Sequence, residues 1–94
     1  MLKNYIYYIN GNWVKSIDAS IPFNDSGFLY GDGLFETLRF DKRNLFAPKK
    51  HISRILSGLE SIKLSHSQNS ESLLLLLRKI IEKNILDSGL IKII

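Results

Sequence analysis

Two short stretches carry most of the groups with which this chain could do chemistry. The first is YGDGLFETLRF, Tyr30 to Phe40, in which Glu36 and Arg39 follow a pair of glycines that flank Asp32. The second is KKHISRIL, in which His51 stands three residues before Arg54. A guanidinium is the side chain best matched to phosphate, because its planar fork donates two parallel hydrogen bonds. Arg54 therefore reads either as an anion grip or as an ordinary surface arginine on a helix flank. His51, near a helix start, reads as a structural hydrogen-bond donor or a capping group. Glu36 and Arg39 are three apart on an expected strand, so they point to opposite faces and only one can face a pocket. Metal chemistry is not indicated. The histidines, His51 and His66, are too few and too far apart for a zinc site, and the chain has no cysteine.

The elements that must position these groups follow from turn signals and hydrophobic period. Tyr5 to Ile9 is aromatic and β-branched, and Asn10-Gly11 is the strongest short hairpin signal, since both central residues of a type I′ turn need positive φ. Asn12 to Ile17 is the returning strand, with Trp13 a candidate core residue. Asp18 to Phe23 connects to a turn cluster, Asn24 to Gly27. In the glycine corner, Gly31 and Gly33 supply positive φ or close backbone approach, and Asp32 caps or bonds to its own turn. Leu34 to Phe40 is a third strand, and Leu45 to Ala47 a short fourth beyond the polar turn Asp41 to Asn44.

From Pro48 the period changes. Ile52, Ile55, Leu56, Leu59 and Ile62 form a one-faced helical stripe, and proline suits a first helical position. A second helix starts near Asn69-Ser70 and runs to about Asn84, with Leu73, Leu74, Leu77, Ile80 and Ile81 as its stripe and Leu75 and Leu76 beside it. Leu90 to Ile94 restarts an apolar strand. Strands, then helices, then a strand predict an α+β fold: an antiparallel sheet with two helices packed on one face, a two-layer sandwich.

Ninety-four residues make one small domain, 1–94. The net charge of +4 is spread along the chain and reads as a solvated surface rather than a nucleic-acid stripe. The longest apolar run, Leu73 to Leu77, is far short of the ~20 residues of a membrane span, and no signal peptide is legible, so a cytoplasmic protein without membrane or nucleic-acid partners is expected. The last residues, Ile-Lys-Ile-Ile, lie inside an apolar strand, where termini are usually polar and frayed. That end predicts a fragment of a longer protein.

Taken together, FNDSGFLYGDGLFETLRF and KKHISRIL resemble the N-terminal domain of the fold type IV pyridoxal-phosphate enzymes, namely the branched-chain and D-amino acid aminotransferases and 4-amino-4-deoxychorismate lyase. The resemblance runs from the Asn10-Gly11 turn, through the DxGFxYGDGxFE segment, to the HxxRI helix, about two-thirds of the chain. Its three elements are individually weak and jointly specific. One departure is Ser26, where the family often has arginine.

The resemblance implies pyridoxal 5′-phosphate as cofactor, an amino acid and a 2-oxo acid as substrates, and a homodimer. It implies that Arg54 grips the cofactor phosphate. Tyr30, Phe35, Thr37 and Arg39 become the substrate-pocket residues, with Arg39 a contact for an acidic substrate group; the alternative for Tyr30 and Phe35 is plain core packing. None of the lysines stands in a context resembling the family's cofactor-bearing one, so that lysine is expected in a C-terminal domain absent from this chain, and the chain alone is expected to be inactive. The family's lyase branch shares the same corner. A reading outside the family, a small α+β binding module, would stack bases on Tyr5, Tyr7, Tyr8 and Trp13, although no basic stripe accompanies them.

Overall fold

The computed structural model describes residues 4–94. Chain order is β1 (Ile6–Ile9), β2 (Asn12–Lys15), a short 3₁₀ turn (Ser16–Asp18), α1 (Ser26–Tyr30), β3 (Glu36–Asp41), β4 (Asn44–Leu45), α2 (Pro48–Ser61), α3 (Ser70–Asn84) and β5 (Gly89–Ile93). All strand pairs are antiparallel. The α+β architecture follows the sequence expectation, with one refinement: the strands form two sheets, a β1–β2 hairpin and a three-stranded sheet ordered β4-β3-β5.

The three-stranded sheet and the two long helices make the two layers. Burial along β3 alternates strictly, with Glu36, Leu38 and Phe40 buried and Thr37, Arg39 and Asp41 exposed. The inner face meets Ile52 and Ile55 of α2, Leu73, Leu77 and Ile81 of α3, and Ile91 of β5 in a single core. Each of these side chains removes apolar surface from water, and their one-sided spacing is what makes the helices amphipathic. The stripes are narrower than the sequence implies: Ile62 lies just past the end of α2 and is exposed, as is Leu75 on α3.

Local signals account for the element ends. Asn10 and Gly11 both have positive φ, as a type I′ turn requires. Helix α3 opens with a reciprocal capping box, in which Asn69 accepts from the Ser72 amide and the Ser72 hydroxyl accepts from the Asn69 amide. Pro48 begins α2. Strand β2 ends at Lys15, short of the expected Ile17, because the chain turns into the 3₁₀ segment. Strand β4 is two residues long, because Ala47 takes a left-handed conformation that ends pairing and starts α2. Trp13 is half-buried rather than in the core, edge-on to Tyr8 with ring centroids 4.8 Å apart and with Lys83 Nζ 5.0 Å from its ring centre.

The glycine corner differs most from its expected form. Asn24 to Gly27 is not a free-standing turn but the entry to α1. Asp25 is the N-cap, its Oδ2 accepting from the Phe28 amide at 3.0 Å, and Gly31, at φ 67°, is the left-handed residue that ends the helix. Gly33 has no positive φ and open space where a Cβ would stand, so only Gly31 meets the conformational demand. The Asp32 side chain makes no hydrogen bond among the described residues; Gly33 N instead donates to Gly31 O.

Candidate functional site

The strand that leaves the glycine corner begins with a charged residue on its buried face. Glu36 shares the phase of Leu38 and Phe40, so β3 carries a carboxylate into the layer between sheet and helices, where its side chain is 8 % exposed. An ionised carboxylate there requires partners. Helix α2 supplies two. His51 and Arg54, three residues apart, lie on one face of that helix. The Glu36 Oε1 accepts from Arg54 Nε, and its Oε2 accepts from Arg54 Nη2 at 2.9 Å and lies 2.8 Å from His51 Nδ1.

The result is a two-pronged clasp with a third ligand on the carboxylate. The Arg54 hydrogen bond, followed by that of His51, holds the Glu36 carboxyl down from 4.5 to about 2, against the opposing effect of burial. Arg54 is shifted upward by the same carboxylate. Glu36 is therefore ionised throughout the neutral range. His51 takes the structural role expected of it, as a ligand of Glu36.

Arg54 is held without being consumed. A guanidinium carries five N–H groups, and Glu36 engages one on Nε and one on Nη2. Both N–H groups of Nη1 and the second of Nη2 stay open, on a side chain 71 % exposed. A second anion could be taken bidentately on that edge, so the donor set fits a phosphate group.

The remaining candidates distribute as strand alternation requires. Thr37 and Arg39 lie on the exposed face of β3, opposite Glu36. Phe35, just before the strand, is also exposed, and Lys92 of β5 sets its Nζ 4.8 Å from the centre of that ring. Tyr30, at the end of α1, is 80 % exposed. The exposure of Tyr30 and Phe35 corrects the alternative that they are core aromatics. The structure thus groups Phe35, Thr37 and Arg39 on one side of β3 and Arg54 on the other, with Glu36 between Phe35 and Thr37 tying the two together. A cavity of about 1080 Å³ forms an open trough between the β1 edge, β5 and the glycine corner; of the candidates it takes in Phe35 alone.

Sequence reasoning missed the partner of Arg54. The signal was present: a carboxylate in phase with Leu38 and Phe40, next to a helix with a histidine and an arginine one turn apart. Among the described residues no group of three or more histidine or carboxylate side chains could hold a metal ion, and no helix is long and apolar enough to cross a membrane.

No family model matches the chain. Individual proteins do. The chain is 34% identical over 84 residues to the D-alanine aminotransferase of Staphylococcus epidermidis, which covers 88% of this chain and 30% of that enzyme. It is 30% identical over 81 residues to the D-alanine aminotransferase of Listeria monocytogenes, covering 86% of this chain and 28% of the enzyme. Among solved structures, the branched-chain amino acid aminotransferase of Escherichia coli superposes with a TM-score of 0.87 at 26% identity, over 96% of this chain and 32% of the other. The chain spans about 30% of the length of the curated relatives it matches.

Proposed function

The chain belongs to the fold type IV pyridoxal-phosphate enzymes, as the part corresponding to their N-terminal domain, and from that premise we propose that it serves an aminotransferase that moves an amino group between an amino acid and a 2-oxo acid. The observation that carries the reading is the Glu36–Arg54 clasp, which leaves an outward-facing donor edge fit for the phosphate of pyridoxal 5′-phosphate. When bound, that cofactor supplies an electron sink for the substrate's reacting carbon.

In this proposal Arg54 binds and orients the phosphate. Phe35, Thr37 and Arg39, on the exposed side of β3, form one wall of the substrate pocket, and Tyr30 stands at its entrance. Arg39 offers a cation to an acidic group on the substrate. The lysine that carries the cofactor is assigned outside these residues, and the working enzyme is a homodimer. The named activity of the curated relatives favours a D-amino acid, with D-alanine the first to try.

The test is an assay of the purified full-length gene product, loaded with pyridoxal 5′-phosphate, for 2-oxo acid formation from D-alanine and from L-leucine with 2-oxoglutarate as acceptor. Turnover of D-alanine is expected. Turnover of L-leucine alone would move the substrate reading to the branched-chain class. Turnover of neither, with pyruvate released from 4-amino-4-deoxychorismate, would replace the transferase reading with the lyase one.

A further inference from the structure

We propose that Glu36 is the positioning residue for Arg54: a buried carboxylate, pinned by His51, that fixes the plane of the guanidinium so that its open N–H edge meets the cofactor phosphate. The inference rests on the cofactor reading above and assigns a function to Glu36, the buried charged group among the described residues.

The geometry carries it. Arg54 projects from α2 with a side chain 71 % exposed, and an arginine in that setting samples many rotamers. Among the described residues, the hydrogen bonds that restrain its guanidinium are the two to Glu36. Glu36, by contrast, is 8 % exposed and starts a strand whose next inward residue, Leu38, is fully buried, so its own position is set by the core. His51 Nδ1, 2.8 Å from Oε2, is a third contact that stops the carboxylate from rotating. Order therefore passes from the core to Glu36 and from Glu36 to Arg54, and the guanidinium arrives with its remaining donors already aimed. A pre-oriented fork loses less freedom on binding an anion than a free one.

Charge makes the proposal sharp. Glu36 is ionised, and its charge repels a phosphate bound beside it. If the field dominated, removing that charge would tighten phosphate binding. If orientation dominates, removing it weakens binding. Glu36→Gln separates the two, because the amide keeps the shape but replaces one accepting oxygen with an NH₂ that cannot accept from the guanidinium.

The experiment is equilibrium binding of pyridoxal 5′-phosphate and of pyridoxal, which lacks the phosphate, to the full-length apoprotein, followed by fluorescence and absorbance. Wild type, Glu36→Gln, Arg54→Ala and the double variant are compared. Glu36→Gln is expected to weaken pyridoxal 5′-phosphate binding on the order of tenfold to a hundredfold, the range seen when outer partners that orient metal ligands are removed. Pyridoxal binding should change little, so the preference for the phosphorylated form collapses, which a general loss of structure would not produce. In the Arg54→Ala background Glu36→Gln should add almost nothing. If Glu36→Gln does not melt cooperatively, Glu36→Asp, which withdraws the carboxylate by one methylene, is put through the same comparison with the same expectation. Unchanged or tighter binding of the phosphorylated form, with Arg54→Ala still disruptive, overturns the positioning role and leaves the cofactor reading standing. A wild-type protein that does not distinguish the two ligands overturns both.

Discussion

The side-chain amide of Asn84 pairs with the backbone of Ile6 as a neighbouring strand would. Its Oδ1 accepts from the Ile6 amide at 2.8 Å and its Nδ2 donates to the Ile6 carbonyl at 3.0 Å. The same Nδ2 also donates to the Ile80 carbonyl at 2.8 Å, so one residue at the end of α3 holds the outer edge of β1. The β1–β2 hairpin is a sheet of its own, and among the described residues this link and the Trp13–Lys83 contact help fasten it to the helical layer.

Asn84→Leu is therefore expected to destabilise the protein by about 1–3 kcal/mol, the cost of leaving partly buried backbone groups unpaired. Trp13, the only tryptophan, reports on the hairpin directly. Denaturant unfolding followed by its fluorescence should show the loss, and an unchanged midpoint would mean that the hairpin is held by its aromatic contacts instead.

The acid limb of the stability curve should carry the signature of Glu36. Its carboxyl is depressed from 4.5 to about 2 in the folded protein by Arg54 and then His51. A carboxylate depressed on folding contributes stability that is present above the unfolded value and is lost as pH falls through the folded one. Wild type should therefore lose stability between about pH 4.5 and pH 2, and Glu36→Gln should lose less over that window. Parallel acid curves for the two proteins would show that the clasp does not form in solution.

How far these features were legible in the sequence depends on how local their causes are. The two long helices and the β3–β5 strand phase follow from period alone; Pro48 and Asn69 mark where the helices begin, and Asn10-Gly11 marks the turn of the β1–β2 hairpin. The exposed grouping of Phe35, Thr37 and Arg39 follows from alternation in the same way. Helix α1 was hidden because SGFLY is too short to show a helical period, so Asp25 and Gly31, its two caps, read as turn residues. The division into two sheets was hidden for a different reason. It rests on β3 pairing with the distant β5, Glu36 opposite Ile93, rather than with the hairpin, which no local pattern records. The clasp lies between these cases, since its members are visible singly and only the fold brings the start of β3 against the second turn of α2.

The turn between β3 and β4 is built from the wrong residues for its shape. Lys42 and Arg43 both have positive φ, at 49° and 65°, in a two-residue connection that favours Asn-Gly. The strain is offset in part by the Arg43 amide, which donates to the Asp87 carbonyl at 2.8 Å, a bond that glycine would retain. The Arg43–Asp87 ion pair is exposed at 3.4 Å and contributes little. The replacement Lys42→Asn with Arg43→Gly is expected to stabilise the protein by up to about 1 kcal/mol. A lowered melting temperature would mean that the ion pair matters more than the backbone.

Thr37 and Leu38 are adjacent in sequence and opposite in consequence. Leu38 is 0% exposed and sits where both helices meet the sheet, so Leu38→Ala deletes packed methyl groups and leaves a cavity. A loss of about 2–5 kcal/mol is expected, a large share of what a domain of this size can have. Thr37 points the other way, into the proposed substrate wall, and makes no contribution to that core. Thr37→Ala should leave the melting temperature within the range of a surface change, about 0.5 kcal/mol. On the proposed function, the same substitution in the full-length gene product should alter KM for the amino acid while leaving pyridoxal 5′-phosphate affinity as it was, because Arg54 is on the far side of the strand. Thr37→Ala that lowers cofactor affinity and leaves KM intact would place Thr37 with Arg54 and remove it from the substrate wall. Unchanged behaviour in both would leave the exposed face of β3 without a part in substrate binding.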